Sequence, residues 1–181
     1  MKARVLFATG YEEVEALTVV DLLRRAGVEC LMVSADDQDT VTGARGMEVT
    51  MDEKLSEIDD QCDLVVLPGG IPGVPNLKAN SKVQAMVNAQ NDRGGYVAAI
   101  CAGPTALGAF GVLADKNATC YPGCEDQLMA KRHSTEPVVV DGNVITSRGV
   151  GTAIEFALKL VEILIDRQTA DDLAEKIVYK R

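Results

Sequence analysis

The 181-residue chain lacks the features that most metal sites require. It has one histidine, His133, and no Cys-x-x-Cys pair. Structural zinc needs about four Cys, His or carboxylate ligands at short, characteristic spacings. Cys120 and Cys124 lie four residues apart, but His133 does not complete such a set, and the polar stretch around it predicts an exposed side chain. We therefore expect no metal and no other cofactor.

Long apolar runs and basic tracts are also missing. The apolar stretch that follows Lys2 and Arg4 is short and meets Glu12, Glu13 and Glu15, so we expect neither a signal peptide nor a membrane span. A net charge of −9 disfavours binding to nucleic acid or to an anionic membrane surface.

The cysteine count is odd, which argues against a disulfide framework. The five cysteines are Cys30, Cys62, Cys101, Cys120 and Cys124. Without a secretion signal, this count predicts reduced thiols and a cytoplasmic location. Apart from Cys101, we expect these residues to serve packing.

Apolar segments of strand length alternate with helical segments along the chain. The predicted strands are Arg4–Thr9, Cys30–Ser34, Leu64–Leu67, Tyr96–Ile100 and Val144–Ser147. Fully apolar strands separated by helices predict a parallel sheet that is covered on both faces. We predict one domain over residues 1–181: a flavodoxin-like, doubly wound, mostly parallel α/β sandwich with small β-hairpins.

Local signals complete this prediction. Hairpins are expected within Thr40–Met51 and around Asp141-Gly142, and Leu55–Ile58 is expected to form a helical turn. Two helices are expected over Glu13–Ala26 and, with Thr169 as cap, over Ala170–Tyr179.

Cys101 occupies the most informative position. It follows the apolar run Tyr96–Ile100 and precedes Ala102 and Gly103, which open a helix. This is a thiol version of the nucleophile elbow, where small neighbours allow a sharp turn that exposes the reactive atom. Unpaired N–H groups at a helix N-terminus stabilise a thiolate and lower its pKa. The alternative is a small buried apolar cysteine, which is the commoner environment for this residue type.

Other unusual residues follow the remaining strands and are expected on the same edge of the sheet. Thr9 and Glu12 match a capping box, and Glu13 suits a first helical turn. Glu15 has two open interpretations, a capping charge or a site residue. A buried thiolate and carboxylate cannot both be charged cheaply. We therefore predict that Glu15 is protonated and donates a hydrogen bond to the Cys101 sulfur.

Two glycine-rich loops share this edge. Pro68-Gly69-Gly70 is either an ordinary turn or a place where backbone N–H groups bind an oxyanion. Gly149-Val150-Gly151 precedes a helix and could hold a phosphate. No GxGxxG follows the first strand and no Walker lysine is present, so nucleotide binding is disfavoured.

Four motifs together resemble a known family. GYEEVEAL (10–17), VVLPGG (65–70), AAICAGPTAL (98–107) and TSRGVGTAIEFAL (146–158) look like the ThiJ/PfpI superfamily, in the branch of the parkinsonism-associated deglycase and its bacterial relatives. The resemblance extends from Arg4 to about Leu164. It implies a flavodoxin-like homodimer with a redox-sensitive cysteine at the elbow.

The resemblance also implies residue roles. Cys101 would be the nucleophile and the oxidation site, with Glu15 as its protonated partner. Gly70 and Ala102 would supply the N–H groups of an oxyanion hole. Arg45, in GARGM, matches a family arginine near the site, and it and Gly69 are candidate contacts to substrate or anion.

The chain departs from the family pattern at two positions. Tyr121 stands where the human-type branch has a histidine, and Ala102 stands where the protease-like branch has one. Since an activated nucleophile normally needs a nearby base, these departures place a cysteine amidohydrolase or peptidase last. The leading expectation is a glyoxalase or protein deglycase that acts on reactive dicarbonyls or their early adducts. The alternative is a redox-sensing stress protein or chaperone.

Overall fold

The computed structural model describes residues 1–59 and 61–180. Its main sheet has the order β10-β11-β7-β6-β1-β2-β5. The strands, in chain order, are β1 (Lys2–Phe7), β2 (Glu29–Ser34), β3 (Thr40–Thr42), β4 (Glu48–Thr50), β5 (Glu53–Lys54), β6 (Leu64–Leu67), β7 (Tyr96–Ile100), β8 (Asn117–Ala118), β9 (Arg132–His133), β10 (Val138–Asp141) and β11 (Val144–Ser147).

All neighbours in this sheet are parallel except the edge hairpin of β10 and β11. The central strands read β2-β1-β6-β7-β11, which is the flavodoxin-like order. The predicted fold class is therefore confirmed. β3 and β4 form a small separate hairpin, also as predicted.

Helices cover both faces of the sheet. They are α1 (Glu13–Arg25), α2 (Gly73–Ala79), α3 (Ser81–Asp92), α4 (Pro104–Ala109), α5 (Ala153–Leu164) and α6 (Arg167–Lys176). Alternating strand residues feed two cores. Phe7 and Ile100 point towards α1, α5 and α6, whereas Leu6 and Ala99 point towards α2, α3 and α4. This arrangement explains why β1, β6 and β7 are apolar almost throughout.

Three local predictions are wrong. Glu12, not Thr9, caps α1, because its carboxylate accepts from the Glu15 N–H at 2.9 Å. Asp166, not Thr169, caps α6 and accepts from the Thr169 N–H at 2.7 Å, so that helix begins earlier and ends at Lys176. Residues 55–57 form a non-helical turn after β5.

Helix α2 and the short strands β5, β8 and β9 were not predicted from the sequence. Gly73 and Pro75 in α2 have low helix propensity, and the tertiary position of the segment overrides that preference. Within the described residues, no helix combines the length and apolar character needed to cross a membrane.

Candidate active site

Cys101 lies at a strained turn between β7 and α4. Its φ of +65° falls in the left-handed region that non-glycine residues rarely adopt. Two contacts hold this turn, since the Cys101 N–H donates to Ser147 O at 3.1 Å and the Tyr121 N–H donates to Cys101 O at 2.8 Å. Backbone strain of this kind clusters at functional sites. The side chain is partly exposed, so the alternative of a sealed packing cysteine does not hold.

A glycine is required two residues after the cysteine. A methyl group at Gly103 would lie 2.6 Å from Leu67 O and 2.8 Å from Ile100 O. The end of β6 therefore packs directly against the elbow. This close approach brings the Pro68-Gly69-Gly70 loop beside Cys101.

Glu15 is a fully buried residue in the first turn of α1. Its Oε2 accepts a hydrogen bond from the Gly69 N–H at 3.0 Å. Its Oε1 is buried without a hydrogen-bond partner. An unpaired buried carboxylate oxygen is costly, and this favours a protonated acid.

Gly69 shows how closely Glu15 and Cys101 approach each other. A methyl group built on Gly69 would lie 2.5 Å from Cys101 Cβ, 2.6 Å from Glu15 Oε2 and 3.0 Å from Cys101 Sγ. The two side chains lie next to each other, and they share the space that a larger residue at position 69 would occupy. The structure thus brings the two predicted residues together.

The proton balance of this pair has identifiable causes. Burial raises the pKa of Glu15 to about 7, and the charge of Glu12 adds to this rise. The Cys101 side chain and the Gly69 N–H act in the opposite direction and lower the pKa of Glu15. Burial, and then the Glu15 carboxylate, raise the pKa of the Cys101 thiol, while the Ala102 N–H lowers it. This direction is opposite to the lowering expected from the sequence, and burial is its largest cause. The direction we stand behind is the raised pKa of Glu15, because two neighbouring buried groups resist carrying two negative charges.

The pair opens into a cavity of about 620 Å³ at the carboxyl ends of the parallel strands. This position lies next to the reversal of strand order between β1 and β6, where α/β sheets bind ligands. Glu15, Arg45, Gly70, Cys101 and Ala102 all contribute to its lining. The volume suits a small molecule.

Gly70 and Ala102 line the cavity together with Cys101. The Ala102 N–H lowers the pKa of the Cys101 thiol. Gly70 has a φ of +100°, and within the described residues its N–H has no protein acceptor. Gly69 differs from the expectation of a ligand contact, since its N–H is occupied by Glu15 and the residue is buried. Gly69 therefore positions the acid.

A buried carboxyl group holds the backbone of Arg45 at the cavity. Glu13 is buried, and its Oε1 accepts from the Arg45 N–H at 2.6 Å. Glu13 thus holds the loop between β3 and β4. The sequence predicts only a charge in the first helical turn at this position, so this loop contact is an additional role. The Arg45 side chain itself is exposed at the cavity.

The second glycine loop makes internal contacts. Thr152 Oγ1 accepts from the Gly149 N–H at 3.1 Å and donates to Gly149 O at 2.9 Å. Residues 150–152 form a 3-10 turn before α5. Because the Gly149 N–H is already occupied, this loop is a poor phosphate cradle.

Among the other residues that line the cavity, Tyr121, Arg148 and Cys124 are side chains that the sequence did not predict as site residues. Tyr121 had been noticed only as a departure from the family pattern, and it is 52% exposed. Arg148 belongs to the fourth motif, and its Nη1 donates to Thr135 O at 2.8 Å. Cys124 packs against the core, as the sequence predicts, but it also lines the cavity. His133 lies elsewhere, exposed in β9, and residues 1–59 and 61–180 contain no metal-binding cluster of three or more His, Cys, Asp or Glu.

Comparison with known proteins decides the family. The model of the DJ-1/PfpI family matches residues 1–163. The chain belongs to this family. It is 39% identical over 184 residues to the "Parkinson disease protein 7 homolog" of Danio rerio, covering 99% of this chain and 97% of that protein.

Two other relatives bear on activity and fold. The "Glutathione-independent glyoxalase DJR-1.2" of Caenorhabditis elegans is 33% identical over 169 residues, covering 92% of this chain and 89% of that protein. The structure of oxidised Toxoplasma gondii DJ-1 superposes with a TM-score of 0.96 at 35% identity, covering 99% of each chain. The resemblance inferred from the four motifs is therefore confirmed.

Proposed function

We propose that this protein is a cysteine-dependent glyoxalase that converts small dicarbonyls to 2-hydroxy acids, and that it also acts on their early adducts with amines. The observation that carries the proposal is the Cys101–Glu15 pair, which opens into a cavity of about 620 Å³ beside the N–H groups of Gly70 and Ala102. The similarity to a relative named as a glyoxalase supports this choice.

The first step is addition of sulfur to the aldehyde. The Cys101 thiolate forms a C–S bond to the aldehyde carbon, and the carbonyl electrons move to oxygen. The N–H groups of Gly70 and Ala102 stabilise this oxyanion, and Glu15 donates its proton to give a hemithioacetal.

The second step moves protons within the adduct. The Glu15 carboxylate removes the proton from the former aldehyde carbon to give an enediolate, the hydroxyl proton on that carbon moves to the neighbouring ketone oxygen, and the conjugate acid of Glu15 returns its proton to the neighbouring carbon. The product is a thioester of the 2-hydroxy acid. Water cleaves this thioester, which releases the acid and regenerates Cys101. With methylglyoxal, the released acid is lactate.

Lactate formation from methylglyoxal tests the proposal directly. We expect turnover by the wild-type chain and none above background by Cys101→Ser, because the serine hydroxyl is far less acidic than the cysteine thiol. Cys62→Ser is the matched control, since Cys62 is also partly exposed but does not line the cavity. Equal turnover by Cys101→Ser and wild type would overturn the proposal.

A second function is favoured by the same N–H groups. Oriented amides and a buried acid can also stabilise a sulfenate or sulfinate on Cys101, so we propose redox sensing as the alternative function. Mild peroxide treatment followed by peptide mass analysis should place oxygen on Cys101 first. Earlier oxidation of Cys30 or Cys124 would remove the basis for this alternative. A peptidase is not proposed, because the residues that line the described cavity include no histidine.

We also propose a homodimer, as the family resemblance implies. Apolar side chains on two neighbouring helices support it, since Val14 of α1 is 48% exposed and Ile154 of α5 is 39% exposed. Solution mass measurement should give twice the mass of the chain.

A further inference from the structure

The active-site cavity contains a second thiol. Cys124 and Cys101 both line it, and both are partly exposed. The two thiols are close enough for charge on Cys124 to raise the pKa of Cys101. Cys120, four residues before Cys124, is fully buried and does not line the cavity.

Backbone contacts connect the two cysteines. The Tyr121 N–H donates to Cys101 O at 2.8 Å, and the Cys124 N–H donates to Tyr121 O at 3.0 Å. The turn that carries Cys124 is therefore anchored on the backbone of the elbow itself. Gly123, with a φ of +91°, allows the chain to turn there. Residues 121–123 are exposed, whereas Cys124 also packs against the core that α2, α3 and α4 cover, so the disulfide requires this turn to shift Cys124 out of that contact and towards Cys101.

We propose that Cys124 is a resolving cysteine that forms an intramolecular disulfide with Cys101 after oxidation by a peroxide. This function goes beyond dicarbonyl turnover. It rests on the reactivity proposed for Cys101 but not on glyoxalase activity. Since a disulfide can be reduced, the exchange protects Cys101 from irreversible oxidation.

The chemistry balances in two steps. The Cys101 thiolate attacks one oxygen of hydrogen peroxide, so an S–O bond forms, the O–O bond breaks, the second oxygen leaves as hydroxide, and the sulfur loses two electrons to give a sulfenic acid. The Cys124 sulfur then attacks Cys101 Sγ, so the S–S bond forms and the S–O bond breaks. The departing hydroxide combines with the thiol proton of Cys124 as water. A small thiol or dithiol reductant restores both cysteines.

The surroundings of Cys124 change the pKa of its thiol in opposite directions. Burial and Glu125 raise the pKa of its thiol, whereas the Lys78 ammonium lowers it. Lys78 is held nearby through its hydrogen bond to Gln127 at 3.2 Å. Attack on a sulfenic acid competes with further peroxide oxidation, so the outcome depends on which reaction reaches the Cys101 sulfur first.

Peptide mass analysis of the whole chain after treatment with hydrogen peroxide tests the proposal. Trypsin cleaves after Lys116, which separates Cys101 from Cys124. We expect the wild-type chain to lose two hydrogen atoms and to yield a linked peptide pair whose fragments assign the bond to Cys101 and Cys124. Cys124→Ser should lose this pair and accumulate several-fold more sulfinic acid on Cys101. Cys120→Ala is the matched control and should still form the bond.

Each contrary outcome has a distinct meaning. Equal sulfinic acid on Cys101 in wild type and Cys124→Ser, without a linked pair, would overturn the role of Cys124 alone. A linked pair found only in a covalent dimer would overturn the intramolecular bond. Absence of oxygen on Cys101 in both chains would overturn this proposal together with the reactive thiol on which it rests. Lactate formation, measured separately on the reduced chain, tests the glyoxalase proposal.

Discussion

The first turn of α1 presents two buried carboxyl groups to two different regions. Glu13 faces the loop between β3 and β4, where its Oε1 accepts the Arg45 N–H at 2.6 Å. Glu15 faces the elbow, where its Oε2 accepts the Gly69 N–H at 3.0 Å. In both residues the second oxygen is buried without a hydrogen-bond partner.

The difference between the two regions is the sulfur. Glu15 lies against Cys101, whereas Glu13 holds a loop through a backbone amide. The same residue type, two positions apart and equally buried, thus has a chemical task on one side and a supporting task on the other. Burial of an acid in a helix N-terminus does not by itself make a catalytic group.

The largest predicted difference between the two regions is in turnover. Glutamine at position 15 can accept the Gly69 N–H and donate to the sulfur, but it cannot transfer a proton. We expect Glu15→Gln to lower lactate formation by about 10²–10⁴-fold, which is typical for loss of general acid–base catalysis. Glu13→Gln, measured in parallel, should change it much less. Equal losses in both variants would contradict the assignment of proton transfer to Glu15 and of loop support to Glu13.

The pH dependence of stability should separate the regions next. The raised pKa of Glu15, about 7, means that the folded chain binds more protons than the unfolded chain between about pH 4.5 and 7. Stability should therefore fall as pH rises through this window, by about 3 kcal/mol in all. Urea unfolding across the window should show this slope in wild type and Glu13→Gln, and lose it in Glu15→Gln. A slope retained by Glu15→Gln would assign the protons to another group.

A change at Gly69 should damage only the elbow. The Cβ of alanine at this position would lie 2.5 Å from Cys101 Cβ and 2.6 Å from Glu15 Oε2, so the pair must separate. We expect Gly69→Ala to cost about 1–3 kcal/mol in the free energy of unfolding, as overpacking usually does, and to reduce alkylation of Cys101 by iodoacetamide. Gly46→Ala is the control for alkylation, because a methyl group there meets nothing within 4 Å. Its φ of +82° makes alanine unfavourable for the backbone, but the variant should leave the alkylation of Cys101 unchanged. Unchanged alkylation in Gly69→Ala would contradict the packing described.

The smallest effect is expected in the other region. Glu13→Gln replaces the carboxyl acceptor of the Arg45 N–H by an amide oxygen, which should cost about 1 kcal/mol in the free energy of unfolding. Hydrogen exchange of the Arg45 amide should become faster, while that of the Gly69 amide should not. Faster exchange at Gly69 alone would reverse the assignment of the two regions.

The fold and the central pair were predictable from the sequence because their signals are local. Apolar runs such as Leu64–Leu67 and Tyr96–Ile100 define the strands, and the strand order brings Glu15 and Cys101 to one edge. The caps Glu12 and Asp166 were missed because neighbouring threonines offer an equally good local pattern. The positions of Glu13, Tyr121 and Cys124 depend on which loops meet across the cavity, and spacing along the chain does not encode that.

The location of the negative charge is the central claim, and an ultraviolet titration of the Cys101 thiolate tests it most directly. In a chain whose other four cysteines are replaced by alanine, we predict half-titration of the thiolate absorbance below the ordinary value of about 8.5 despite the burial that raises the thiol pKa, because a protonated Glu15 removes the carboxylate that also raises it and the Ala102 N–H lowers it. The same low value should persist in Glu15→Gln on that background, since the glutamine remains a neutral donor. A wild-type Cys101 that titrates at or above about 8.5 would contradict the account.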